Sequence, residues 1–221
     1  MKNVLTISKA MVLFVGLSLV LLSCGDDKES KPKNRVKVDG KSFDFKRGYI
    51  VSEQIRNEAD VVVGSAHWVY LTGGDLEMAD NLVMTGEGPF LAMYIGSDDL
   101  SDLVEGDYDM EYQEYDFGNV IFFDLFEKFS LGVDGEDVVQ LYDAWYSGDT
   151  EGTVSVSKKG DKYTFKVNLD EYYFLGSSDT EAEEQVSEEV SGYFNGELEV
   201  LTVEESPAKM SAAHRIIRRD R

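Results

Sequence analysis

The residue types that most often carry catalysis are scarce in this chain of 221 residues. It contains one cysteine, Cys24, and two histidines, His67 and His214. Nucleophilic catalysis needs a nucleophile and a base that meet in space, and the sequence suggests neither a Cys-His pair nor a Ser-His-Asp triad. A zinc site made of His and Cys ligands is excluded by their number. We therefore expect no catalytic residue, metal or cofactor, and interpret His67 as a strand residue with a hydrogen-bonded ring.

Carboxylates are the abundant reactive groups. Residues 98–116 contain nine acids, and two carboxylates can hydrolyse a glycoside when they flank its bond at the right separation. The simpler interpretation is a solvated strand edge and loop. Asp134-Gly135-Glu136-Asp137 has the oxygen ligands that calcium prefers, but it lacks the spaced acids and closing glutamate of an EF-hand loop.

Aromatic residues offer a second kind of chemistry. Tyr112, Tyr115, Trp145 and Tyr146 are candidates to stack on sugar or peptide groups beside carboxylate acceptors. The alternative is that a β-domain with 12 Tyr and 12 Phe uses these rings in its core and in cross-strand pairs. Both interpretations need strands to position the rings.

Alternating apolar and polar residues predict those strands. In residues 152–169, GTVSVSKKGDKYTFKVNL, a period of two on both arms indicates an antiparallel hairpin with one apolar face. A two-residue turn at Lys159-Gly160 would place Val156 opposite Tyr163 and Val154 opposite Phe165. The Asp39-Gly40 pair predicts a second hairpin, with Val36 opposite Phe43.

Similar patterns along the chain predict roughly ten strands in one domain, residues 35–205. The fold class is therefore all-β, either an antiparallel lipocalin-like barrel or a β-sandwich. Two segments differ from this pattern. Residues 137–146 carry apolar side chains at three- and four-residue spacing, which predicts a helix, and the acid-rich residues 176–192 are predicted to form a long exposed loop.

The first 23 residues are typical of a secretory signal. Lys2 and Lys9 precede an apolar run that is too short for a membrane span, and Ser23-Cys24 closes it. Residues 24–34 are predicted to be a solvated tether. Residues 206–221 form a basic tail, which we expect to be frayed.

Charge restricts the possible partners. The full chain has a formal charge of −22, and loss of residues 1–23, which hold two lysines and no acid, changes it to −24. Such an acidic protein is not expected to bind nucleic acid. With Cys24 as its only cysteine, it can form no internal disulfide.

Three features resemble known proteins. The Leu21-Leu22-Ser23-Cys24 end of the leader resembles a bacterial lipoprotein signal, in which Cys24 would be lipidated, and Asp26-Asp27-Lys28-Glu29 resembles the surface-export signal of Bacteroidota lipoproteins. The hairpin at residues 152–169, followed by SGYFNGELEV, resembles the closing half of small Bacteroidota surface lipoproteins. Those proteins tend to be lipocalin-like barrels or β-sandwiches, mostly of unassigned function.

We therefore expect a lipid-anchored protein of the outer membrane, exposed at the cell surface, with the periplasmic face as the alternative. Its expected role is a non-enzymatic binding or interaction module for a glycan or protein ligand. The alternatives are a carbohydrate hydrolase with paired carboxylates and a structural subunit of a surface assembly, in which an edge strand accepts a partner strand.

Overall fold

The structure is a computed structural model that describes residues 33–38, 40–110, 119–134, 137–148, 152–176 and 185–202. These residues form fourteen strands and one short 3-10 helix, at Asp80–Leu82. The strands are β1 (Arg35–Val38), β2 (Lys41–Asp44), β3 (Arg47–Arg56), β4 (Val62–Thr72), β5 (Glu77–Ala79), β6 (Val83–Thr85), β7 (Gly88–Ser97), β8 (Gly106–Met110), β9 (Asn119–Asp134), β10 (Asp137–Leu141), β11 (Ala144–Gly148), β12 (Gly152–Lys159), β13 (Lys162–Gly176) and β14 (Gln185–Val200). The all-β prediction is confirmed.

Twelve strands form one large sheet, and β5 and β6 form a separate two-stranded sheet. Most neighbours are antiparallel, but β14 pairs with β3 and β8 pairs with β9 in parallel, so the large sheet is mixed. Its pairings run from β12 through β13, β14, β3, β4, β7, β9 and β8 and return to β12. The sheet thus wraps around one shared core, and its facing halves pack as the layers of a β-sandwich do.

The main core lies on the inner face of this sheet. Its members come from nearly every strand and include Val36, Ile50, Leu71, Met93, Phe123, Phe165 and Phe194. Because side chains alternate along a strand, each of these strands gives every second residue to the core. This is the period-two pattern that the sequence analysis used.

A second apolar cluster lies on the outer face of β3, β4, β7 and β9. It includes Tyr49, Trp68, Tyr70, Phe90 and Phe126 and is partly covered by Met78 and Met84 of the β5–β6 hairpin. Strands β4 and β7 are therefore buried on both faces, which explains why their sequences are almost continuously apolar. The outer faces of β12 and β13 are polar instead.

The hairpins follow the predicted faces, with one correction of register. Val36 lies opposite Phe43, as predicted from Asp39-Gly40. In the β12–β13 hairpin, Val156 pairs with Phe165 and Val154 with Val167. The predicted turn at Lys159-Gly160 is therefore wrong, because Lys159 pairs with Lys162 and the turn residues are Gly160 and Asp161. Each residue pairs two positions further along β13 than predicted, so every side chain keeps its predicted face.

Two other predictions are wrong. Residues 137–146 form no helix: they contain β10 and the start of β11, which pair with successive parts of β9. Sheet pairing overrides the helical spacing because these strands extend the sheet that already exists. Residues 185–192, predicted to be part of an exposed acidic loop, belong to β14 instead, and residues 177–184 lie outside the described residues.

Candidate functional site

The structure describes two of the four predicted aromatic binding residues and places them on different faces. Tyr112 and Tyr115 lie outside the described residues, as does Cys24. Trp145 and Tyr146 are adjacent on β11, so they project to opposite faces of the sheet. They cannot form one binding surface together.

Trp145 belongs to the outer aromatic cluster. Its indole stacks on Phe126 with ring centroids 5.5 Å apart, and its Nε1 donates a hydrogen bond of 2.9 Å to the buried Asp124 carboxylate. The partly exposed Tyr142 meets it edge-on at 6.2 Å. One face of the Trp145 ring and its N–H group are therefore occupied by contacts within the protein.

Tyr146 lies in the main core. It is 4 % exposed, and its ring centroid is 6.0 Å from that of Phe43. Lys41 lies above the ring, and hydrogen bonding to Tyr146 and Glu127 raises the pKa of Lys41. Tyr146 therefore joins the β1–β2 hairpin to the sheet, which is a structural role.

An open groove lies on the outer face of β8, β12 and β13. Its volume is about 450 Å³, within the range of small-ligand sites. The lining consists of Glu105, Gly106, Asp107, Ser155, Val156, Ser157, Thr164 and Lys166. Apart from Gly106 and the core residue Val156, the lining is polar, because its other strand positions alternate with the core residues of the same strands.

Strand register sets the order of groups across the groove. Asp107 pairs with Ser155, and Ser155 pairs with Lys166. Tyr193 on β14 follows Lys166 in the same row and is partly buried. An acceptor, a hydroxyl, a donor and an aromatic ring therefore lie side by side, at intervals of about 4.8 Å.

The two carboxylates of the groove lie on one wall. Glu105 directly precedes β8, and Asp107 lies two residues further on, so both project from the same side. The opposite wall carries Lys166 and Thr164, and Thr164 Oγ1 accepts a hydrogen bond of 2.6 Å from Asn195 Nδ2. No carboxylate of this groove faces another across it.

A buried polar cluster lies on the inner face of β3 and β4. His67 is 0 % exposed; its Nδ1 lies 2.8 Å from Ser52 Oγ and its Nε2 lies 2.9 Å from Ser65 Oγ. The prediction of a hydrogen-bonded strand histidine is confirmed. Burial lowers the pKa of His67, while the carbonyl of Asp102 and the charges of Asp102 and Asp99 favour its protonated form.

The hydrogen bonds assign the protons of this cluster. Ser65 donates its hydroxyl proton to the Asp99 carbonyl oxygen at 2.7 Å. A hydroxyl has only one proton, so Ser65 Oγ must accept from His67 Nε2–H. Neutral His67 then has a lone pair on Nδ1, which accepts the proton of Ser52.

Sequence reasoning missed both Ser52 and the groove residues. Ser52 and His67 are partners in the β3–β4 hairpin, but a bulge next to its loop places His67 one residue further from the loop than Ser52. Predicting this pairing requires the turn to be known, and the loop at residues 57–61 has no Asn-Gly or Asp-Gly pair. The groove depends on the contact between β8 and β12, which are far apart in sequence.

The described residues hold no group of three or more His, Cys, Asp and Glu side chains that fits a metal ion. The one helical element described, at Asp80–Leu82, is too short to span a bilayer. Comparisons with protein families, with curated proteins and with solved structures find no match.

Proposed function

We propose that the chain is a lipid-anchored outer-membrane lipoprotein, exposed at the cell surface, which binds a glycan in the groove of β8, β12 and β13. The anchor would be Cys24, at the end of a leader that resembles a lipoprotein signal. The observation that carries the binding proposal is the row of Asp107, Ser155 and Lys166 beside Tyr193.

This row fits the chemistry of a sugar. Sugar hydroxyls both donate and accept hydrogen bonds; carboxylates accept, ammonium groups donate and serine does both. An aromatic ring at the edge of the row provides the apolar surface on which a sugar ring stacks. The groove is open to solvent, so a sugar can reach these groups.

The same geometry favours binding over hydrolysis. A glycosidase places its two carboxyl groups on opposite sides of the scissile bond, whereas Glu105 and Asp107 share one wall and Lys166 occupies the other.

An assembly role has less support, because the outermost strands of the large sheet, β2 and β10, are only four and five residues long in the described part. Long unpaired edges are the surfaces that accept partner strands.

A glycan array screened with purified full-length protein tests the proposal. For a glycan that binds, Lys166→Ala and Asp107→Asn should each weaken affinity about 10- to 100-fold, since a hydrogen bond to a charged group contributes about 1.5–3 kcal/mol. Lys162→Ala is the matched control, because Lys162 is exposed on the same strand but does not line the groove.

Two results would reject this function. One is the absence of any glycan ligand; the other is affinity that is equal in the Lys166 and Lys162 variants. Release of reducing sugar from a bound glycan would instead favour the hydrolase.

Protease digestion of intact cells tests the location, since a surface-exposed protein is degraded while a periplasmic one is protected.

A further inference from the structure

The cluster of Ser52, His67 and Ser65 has an arrangement that a purely structural network does not need. Ser52 is exposed to solvent, and it lies directly opposite His67 on the neighbouring strand. His67 is completely buried. The hydroxyl group of an exposed serine therefore touches a base that solvent does not reach.

The network allows proton transfer without rearrangement. When the Ser52 proton moves to His67 Nδ1, Nε2–H still donates to Ser65, and Ser65 still donates to the Asp99 carbonyl. The ring is thus held in place while its charge changes. A general base that activates a serine needs this geometry, with the nucleophile on one nitrogen and an orienting group on the other.

The electrostatics fit the same role. Burial keeps His67 neutral at physiological pH, so its lone pair is available. The carboxylates of Asp102 and Asp99 interact favourably with the protonated ring. They would stabilise the imidazolium that forms as Ser52 attacks, in a position where water provides little solvation.

We propose that Ser52 is a nucleophile, with His67 as its general base, in a site that transfers small acyl groups from carboxylic esters to water. Ser52 Oγ bonds to the acyl carbon and its proton passes to Nδ1. The ester C–O bond breaks, and the leaving alcohol takes the proton from Nδ1. A water molecule then attacks the acyl-serine and gives its proton to Nδ1. Ser52 Oγ takes that proton as the carboxylic acid leaves.

Ser65 is the positioning residue of this site, since it acts only through His67. The activity does not depend on the groove, which lies on the outer face of other strands. The two proposals can therefore fail separately.

A fluorophosphonate probe on the purified full-length protein tests the nucleophile. Trypsin releases Ser52 in the peptide GYIVSEQIR, residues 48–56, whose one serine is Ser52. The internal control is Ser42, exposed on β2 and released in SFDFK, residues 42–46, with no other serine. We expect labelling of Ser52 but not Ser42, and labelling at least about 100-fold slower in His67→Gln, because general base catalysis contributes about 100- to 10,000-fold.

Turnover of p-nitrophenyl acetate completes the test. Ser52→Ala should abolish the enzymatic rate, Ser65→Ala should lower it, and Ser65→Thr, which keeps the hydroxyl, should restore it. The wild-type rate should rise with pH and level off at an inflection below pH 6.5, the ordinary pKa of histidine.

Three results would overturn the proposal. These are labelling of Ser52 no faster than of Ser42, unchanged labelling in a folded His67→Gln protein, and turnover that survives Ser52→Ala. If circular dichroism shows that His67→Gln does not fold, the wild-type pH profile decides: a labelling rate proportional to hydroxide, without an inflection, excludes His67 as the base.

Discussion

Replacement of Phe165 by alanine tests whether the core lies on the assigned face of the β12–β13 hairpin. Phe165 is 0 % exposed, and its ring centroid lies 6.2 Å from that of Tyr163 and 6.4 Å from that of Phe194. Phe165→Ala removes these contacts and leaves a cavity that strands fixed in a sheet cannot fill. The expected loss in free energy of unfolding is about 3–5 kcal/mol.

The neighbouring residue provides the matched control. Thr164 projects from the opposite face of the same strand, is partly exposed, and accepts one hydrogen bond from Asn195. Thr164→Ala should cost about 0.5–1.5 kcal/mol, the net contribution of such a bond.

Urea denaturation of the full-length protein, followed by tryptophan fluorescence, separates the two variants. With a slope of about 2 kcal/mol per molar urea, the midpoint should fall by about 1.5–2.5 M in Phe165→Ala and by less than about 0.8 M in Thr164→Ala. Equal midpoints would show that the face assignment is wrong, and with it the register that defines the groove.

Three further predictions concern the anchor, the charge and the buried histidine. Cys24→Ser should leave an unprocessed precursor, and mature wild-type protein without acyl groups in mass spectrometry would refute the anchor. Added sodium chloride should raise the melting temperature because it screens repulsion between exposed acids over about 10 Å at 0.1 M; a large shift specific to calcium at matched ionic strength would instead reveal a metal site. The lowered pKa of His67 means that the unfolded state binds more protons below pH 6.5. Stability should therefore fall as pH drops from 7 towards 5, and equal slopes in wild type and His67→Gln, measured by urea midpoints, would exclude His67 as the cause.

The faces of the strands could be predicted from the sequence. Val154, Val156, Phe165 and Val167 alternate with polar residues, and the structure buries all four. The turn between them was predicted one residue too early, which shifts the strand partners by two, because Lys159-Gly160 and Gly160-Asp161 both place a glycine where a positive φ is needed. An even shift changes the partners but not the faces, so the error did not affect the core.

The helical interpretation of residues 137–146 failed for a different reason. A spacing of three and four residues shows which side chains are apolar, but it does not show whether a neighbouring strand is available for pairing. Trp145 and Tyr146 are adjacent and both largely buried because β11 has an apolar cluster on each of its faces. One amphipathic stripe cannot represent a strand that is covered on both sides.

The sequence by itself determined the strand-rich composition, the alternation that selects one face of each strand and the acidic charge. These are local properties, set by residue type and by spacing within one element. Only the tertiary structure decided that Asp107 pairs with Ser155 and Ser155 with Lys166, and that Ser52 meets His67. Such contacts depend on the order and register of strands separated in sequence, and these are fixed when the whole sheet wraps around its shared core.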